Sequence, residues 1–142
     1  MIGGGSWGTA FARLLAMAGH ETTLVCRDRD QAHAVATHHR NPRYLFDVEL
    51  PATLGAAWFD DAELSSAELV AMAVPSRGFA ETLELLAPRL GSDTALLSLT
   101  KGLDPATRRR MSEVLETVAP RVRIAVLSGP NHAEEVLSLI HI

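Results

Sequence analysis

Apolar and polar positions along the chain fall into short blocks whose period switches repeatedly between that of a helix and that of a strand. A glycine cluster at 3–8 leads into Trp7 to Ala18, an apolar-rich stretch of good helix formers that stops at Gly19, as helices commonly do at a left-handed glycine. Thr22 to Cys26 is rich in β-branched residues and predicts a strand; the polar stretch from about Asp30 to His38 predicts a helix. Asn41 to Pro51 holds two prolines, a tyrosine and a phenylalanine without helical or strand period, which predicts a long ordered loop of the kind that carries function. A weak strand at Ala56 to Phe59 precedes the acidic residues Asp60, Asp61 and Glu63, and the apolar run Leu69 to Val74 predicts a buried strand that stops at Pro75-Ser76. A helix from Gly78 to Leu86, a strand from Ala95 to Leu99, a helix from Pro105 to Val118 and a strand from Val122 to Leu127 continue the alternation. Another helix opens after Ser128 to Asn131.

Strands alternating with helices pair in parallel through right-handed crossovers, so the pattern predicts an open, doubly wound α/β sheet with helices on both faces. No repeat or linker interrupts it, and one domain is expected. Ligands of such sheets bind beyond the carboxyl ends of the strands. That directs attention to Gly3 to Gly8, Arg27, Pro75-Ser76, Thr100-Lys101 and Ser128 to Asn131.

Composition narrows the classes. The chain has 142 residues, 47% hydrophobic, with a net charge of -4. It is long enough for a real core and too acidic for a nucleic-acid or anionic-membrane binder. Cys26 is the one cysteine, so no internal disulfide can form, and a reducing cytoplasmic setting is expected. No apolar run approaches the roughly 18 residues of a membrane span, and glycines occupy the place of a signal peptide's hydrophobic run. Of the 13 Lys and Arg residues only Lys101 is a lysine, which singles out one compact ammonium among planar guanidinium groups.

Gly3-Gly4-Gly5-Ser6-Trp7-Gly8 matches G-x-G-x-x-G: Gly3 for the tight turn, Gly5 for backbone approach to a pyrophosphate, Gly8 for close helix packing. The pyrophosphate would rest on the N-terminus of the helix that begins near Ser6. About twenty residues on stands Arg27-Asp28-Arg29, where an acid would bind the ribose 2′-hydroxyl of NAD and an arginine the 2′-phosphate of NADP. Arg27 comes first after the strand, which favours NADP; Asp28 keeps NAD open. Lys101 ends a strand on the ligand side, where an ammonium can hold a substrate oxygen as charge develops. Ser128-Gly129-Pro130-Asn131 closes the next strand and can face the same cleft, or can be an ordinary turn and helix cap. The six histidines lack a metal-ligand context, so no metal site is expected. Arg108, Arg109 and Arg110, with Glu113 and Glu116 nearby, are expected on a solvated helix face, and Cys26 is expected in the core.

At these residues the chain resembles the N-terminal, Rossmann-type domain of the prokaryotic NAD(P)-dependent glycerol-3-phosphate dehydrogenases. The resemblance runs from Gly3 to about Val136. It is carried by Gly-Gly-Gly-Ser-Trp-Gly-Thr-Ala at 3–10, Asn41-Pro42-Arg43-Tyr44-Leu45, Ala73-Val74-Pro75-Ser76, Thr100-Lys101-Gly102-Leu103 and Ser128 to Val136. It implies reduction of dihydroxyacetone phosphate to sn-glycerol 3-phosphate in support of phospholipid synthesis, with a small phosphorylated three-carbon substrate and a homodimer in the full-length enzyme. By motif, Gly3, Gly5, Ser6, Trp7, Gly8, Arg27, Tyr44, Lys101 and Ala133 would contact the dinucleotide. Lys101, Gly129 and Asn131 would contact the glycerol phosphate, with Lys101 in the catalytic role.

Three departures accompany the resemblance. The family's first strand is here reduced to Met1 and Ile2 before the glycines. The family's helical C-terminal domain, source of a second, proton-transferring lysine, does not follow, so the chain reads as a truncated form, inactive by itself. Residues 1–136 are expected to form the NAD(P)-binding domain, and 137–142 do not follow the family. Two alternatives stand beside the dehydrogenase: a non-catalytic dinucleotide-binding module, and a sister reductase such as ketopantoate reductase, against which Asn41 to Leu45 and Ser128 to Val136 speak.

Overall fold

In a computed structural model of the chain, residues 1–129 and 132–138 are described, and they fall into two units, Met1–Ala62 with 132–138, and Glu63–Gly129. The first unit holds α1 (Ser6–Met17), β1 (Thr22–Cys26), α2 (Arg29–His38) and β2 (Leu54–Trp58). The second holds β3 (Leu69–Met72), α3 (Phe79–Leu86), β4 (Ala95–Ser98), α4 (Met111–Val118) and β5 (Arg123–Val126), and α5 (Ala133–Ser138) returns to the first.

In the first unit β1 and β2 run parallel, from Thr22 opposite Leu54 to Cys26 opposite Trp58, with α2 as the crossover. Strand residues two apart share a face, and Leu24 and Cys26 bury theirs against Ala12 and Ala16 of α1 and Ala32 and Val35 of α2, with Leu50 and Leu54 completing the cluster. The alanines bring the helix axes close to the sheet. Each buried leucine or valine contributes about 1.5–3 kcal/mol. Asp28 starts α2 because its Oδ1 accepts from the Gln31 amide at 2.8 Å, and His39 ends it in the left-handed region at φ 51°. Ahead of the glycine loop, Ile2 forms a parallel bridge to Val25, and the Gly3 amide donates to the Val25 carbonyl at 3.0 Å.

In the second unit the strand order is β3-β4-β5, all parallel. Phe79, Leu83 and Leu86 of α3 are buried, as are Met111 and Leu115 of α4, and the two helices pack on each other. Their apolar positions recur at three and four residues, the period of a helix with one buried stripe.

Two elements differ from expectation. The helix expected over Pro105–Val118 begins only at Met111. Asp104 captures the segment before it: its Oδ2 accepts from the Thr107 amide at 2.8 Å and the Thr107 hydroxyl at 2.6 Å, Arg108 is left-handed at φ 59°, and Leu103 bridges antiparallel to Arg110. Arg108 and Arg109 therefore sit exposed in a turn rather than on a helix face, and Arg110 precedes the first turn of α4, where Glu113 Oε2 accepts from its amide at 2.9 Å. The weak strand begins two residues earlier, at Leu54, and Phe59 instead opens a 3₁₀ turn over Phe59–Asp61. Among the described residues no helix is long and apolar enough to cross a membrane.

Candidate dinucleotide site

The glycine loop lies between the Ile2 bridge and α1. Gly3 has φ 111°, a conformation glycine adopts without strain. Gly5 caps α1 with extended backbone, no side chain caps the helix, and its first turn carries no acid. A twelve-residue helix thus presents amides and the positive end of its dipole without an internal anion to satisfy them. A Cβ built on Gly5 would meet nothing within 4 Å, so the fold leaves open space at the position where a pyrophosphate must approach closely. Gly8 is buried on the packed side of the helix.

Gly4, a variable position of the motif, is sterically constrained where Gly5 is open. A Cβ there would lie 2.7 Å from Cys26 Sγ and 3.0 Å from Gln31 Nε2. Its carbonyl accepts from Gln31 Nε2 at 2.6 Å and from Asn41 Nδ2 at 3.0 Å. Asn41, fully buried, also donates to Thr9 Oγ1 at 2.8 Å and accepts from Gln31 Nε2 and from the amides of Arg43 and Tyr44. One amide side chain therefore ties the glycine loop, α1, α2 and the 41–51 loop together. Sequence reasoning missed this role: Asn41 stood at the start of a loop and of a motif shared with the family, and nothing in its neighbourhood signals burial.

Beyond the carboxyl end of β1, Arg27 is exposed, and its carbonyl accepts from Trp58 Nε1 at 3.2 Å. Asp28 is committed on both oxygens, Oδ1 to the α2 cap and Oδ2 to Arg43 Nη2 at 2.7 Å. Arg29 lies over the Trp58 ring, 4.3 Å from its centroid, and pairs with Asp61 at 3.5 Å. Tyr44 is partly exposed on the same unit, its backbone held by Asn41. Trp7 packs on Phe11 with ring centroids 5.7 Å apart; its indole N–H is buried without a partner. Ser6 opens α1, and Ala133 opens α5, which packs on α1. Cys26 is fully buried, and burial first, then the charge of Asp28, pushes its thiol up to about 11, as suits a core side chain rather than a nucleophile.

The second unit carries the other expected residues. Lys101 is exposed just past β4, between Thr100, whose hydroxyl donates to the Val74 carbonyl at 2.8 Å, and Gly102 at φ 91°. Gly129, at φ 149°, lies beyond β5. Asn131 lies outside the described residues, as do positions 139–142 of the expected tail. Among the described residues no cluster of histidine, cysteine and carboxylate side chains could hold a metal.

Residues 1–140 match the family described as NAD-dependent glycerol-3-phosphate dehydrogenase N-terminus. The chain belongs to this family. A glycerol-3-phosphate dehydrogenase [NAD(P)+] of Nocardia farcinica is 48% identical over 143 residues, a match covering 96% of this chain and 42% of that protein. The crystal structure of glycerol-3-phosphate dehydrogenase from Coxiella burnetii superposes with a TM-score of 0.88 at 34% identity, covering 96% of this chain and 42% of that one. That agreement establishes the Rossmann-type fold. A ketopantoate reductase of Ralstonia eutropha shares the fold alone, with a TM-score of 0.67 at 23% identity over 88% of this chain and 39% of that one. The chain spans about two fifths of the length of the dehydrogenases it matches.

Proposed function

We propose that this chain is the NAD(P)-binding part of an oxidoreductase that reduces dihydroxyacetone phosphate to sn-glycerol 3-phosphate and thereby feeds glycerophospholipid synthesis. The observation that carries the proposal is the glycine loop: an uncapped, acid-free helix N-terminus with open space at Gly5, in a chain of this family. The residues present fit a dinucleotide. Gly3, Gly5 and Gly8 shape the loop, and the amides at Ser6 and Trp7 face a pyrophosphate. Ala133 lies on the helix packed against α1, and Tyr44 stands on a loop anchored by Asn41. Residues 1–136 form this domain.

The same geometry favours NADP over NAD. Both oxygens of Asp28 are engaged, by its cap and by its arginine, whereas the Arg27 guanidinium stands exposed one residue past β1. A planar, permanent cation suits a phosphate dianion.

A bound nicotinamide supplies the hydride. Lys101, with its compact ammonium, holds the substrate's ketone oxygen as negative charge develops there and also touches the dinucleotide; Gly129 and Asn131 complete the substrate contacts. The test is NADPH oxidation by a chain extended to the relatives' full length. Consumption with dihydroxyacetone phosphate supports the proposal. Consumption with ketopantoate in its place, or with neither, overturns it.

A further inference from the structure

The proposed preference for NADPH leaves a question of charge: Asp28, next to Arg27, is a carboxylate at the place where a phosphate dianion is to be bound. Left unpaired it would repel the 2′-phosphate and offer an acceptor to the 2′-hydroxyl of NADH, the role an acid plays about twenty residues past the glycine motif. The structure shows where that carboxylate goes. Its Oδ1 is held by the Gln31 amide, and its Oδ2 by Arg43 Nη2 at 2.7 Å, from a loop fifteen residues further along the chain. Arg43 is itself placed by Asn41, whose Oδ1 accepts from the Arg43 amide at 3.1 Å. Asn41 is fully buried and also holds the Gly4 carbonyl. The guanidinium is thus delivered to Asp28 by the same anchor that sets the glycine loop.

We propose that Arg43 is a cofactor-specificity residue that acts through Asp28: by pairing with that carboxylate it cancels its charge and occupies its acceptor, so that Arg27 alone meets the ribose and the site selects NADPH. This rests on the NADP-preferring site described above. Arg43 is a positioning residue, because its guanidinium is engaged by Asp28 rather than directed to the ligand. The pair is partly exposed, with side-chain exposures of 57% and 31%, so its contribution to folding is small while its effect on a nearby dianion is first-order.

The experiment is a double-mutant cycle on binding of NADPH and NADH to the protein, using Arg43→Ala, Asp28→Asn and both together, read by quenching of tryptophan fluorescence. Asparagine serves as a helix N-cap about as well as aspartate, so Asp28→Asn keeps α2 intact. In the presence of Asp28, Arg43→Ala is expected to lower the NADPH to NADH affinity ratio by about fivefold to tenfold, the order expected for one exposed charge close to a dianion. In the Asp28→Asn background the same substitution is expected to change the ratio by less than about twofold, since no carboxylate remains to be released. Equal shifts in both backgrounds would mean that Arg43 touches the phosphate directly and would overturn the proposal. So would losses that leave the ratio unchanged, the mark of a merely structural role. A wild-type protein that binds NADH more tightly, or neither cofactor, would overturn the NADP-preferring site itself and this proposal with it.

Discussion

Gly4→Ala, at a motif position usually regarded as free, is expected to destabilise the glycine loop, and Cys26→Ala to rescue it. The backbone at Gly4 does not require glycine, so alanine there restricts the unfolded chain and by itself stabilises by about 0.4–1 kcal/mol. Against this stands the 2.7 Å approach of the new methyl to Cys26 Sγ, roughly 1 Å inside an ordinary contact, with Gln31 Nε2 at 3.0 Å on the other side. Cys26 is fully buried in β1, so the overlap is expected to cost about 1–3 kcal/mol, leaving Gly4→Ala destabilised by about 1–2 kcal/mol overall. Cys26→Ala alone leaves a small void at a cost of about 1 kcal/mol. In the double variant the new methyl occupies the space of the missing sulfur, and stability is expected to return to within about 0.5 kcal/mol of wild type. The single effects therefore couple by about 2 kcal/mol. Urea unfolding of the four proteins measures this directly. Strict additivity of the two substitutions would show that the sulfur does not set the limit at Gly4 and would refute the reasoning.

Asn41→Ala removes the donors that reach the Gly4 carbonyl and Thr9 and the acceptor of two loop amides, so urea unfolding is expected to show a loss of about 2–4 kcal/mol, with NADPH binding weakened in parallel. The Cys26 thiol, held near 11 by burial against an ordinary value of 9.0, ionises in the unfolded chain before it does in the folded one. Its contribution to stability is therefore intact below pH 9 and is lost as pH rises from about 9 to 11, by up to about 3 kcal/mol; Cys26→Ala is expected to flatten that slope in unfolding measured across this range. Lys101→Arg in a full-length enzyme keeps the charge but not the compact donor, and steady-state kinetics are expected to show turnover reduced by roughly 10²–10³ with folding unchanged. Wild-type turnover would make Lys101 a solvated surface cation.

The alternation of elements was legible because each strand or helix carries its own period: Thr22 to Cys26 and Phe79 to Leu86 occur almost where their side chains predict. The start of α4 was not, because Asp104 and Thr107 divert the backbone by side-chain hydrogen bonds that leave the hydrophobic pattern untouched. In the candidate site the glycines and Arg27 could be found from spacing, since the motif's geometry is local. Asn41, Gln31 and the tight packing at Gly4 could not. Their roles at the glycine loop arise from contacts 22 to 37 residues apart in the chain, which no local window contains. The Asp28–Arg43 pair escaped for the same reason, and it changes how the Arg-Asp-Arg cluster is to be understood: the acid that kept NAD open is already engaged.

The central claim is that a dinucleotide lies across the glycine loop at the N-terminus of α1. Gly5→Val tests it most directly, because valine fits the extended backbone there, and its Cβ meets no atom within 4 Å beyond its own chain neighbours. Its effect on folding is limited to a poorer helix cap, about 1 kcal/mol or less relative to glycine. Calorimetric titration of wild type and Gly5→Val with NADPH is expected to give saturable, one-to-one binding in the first and none in the second, with both proteins folded by circular dichroism. Equal affinities in the two, or no saturable binding to the wild type, would contradict the account.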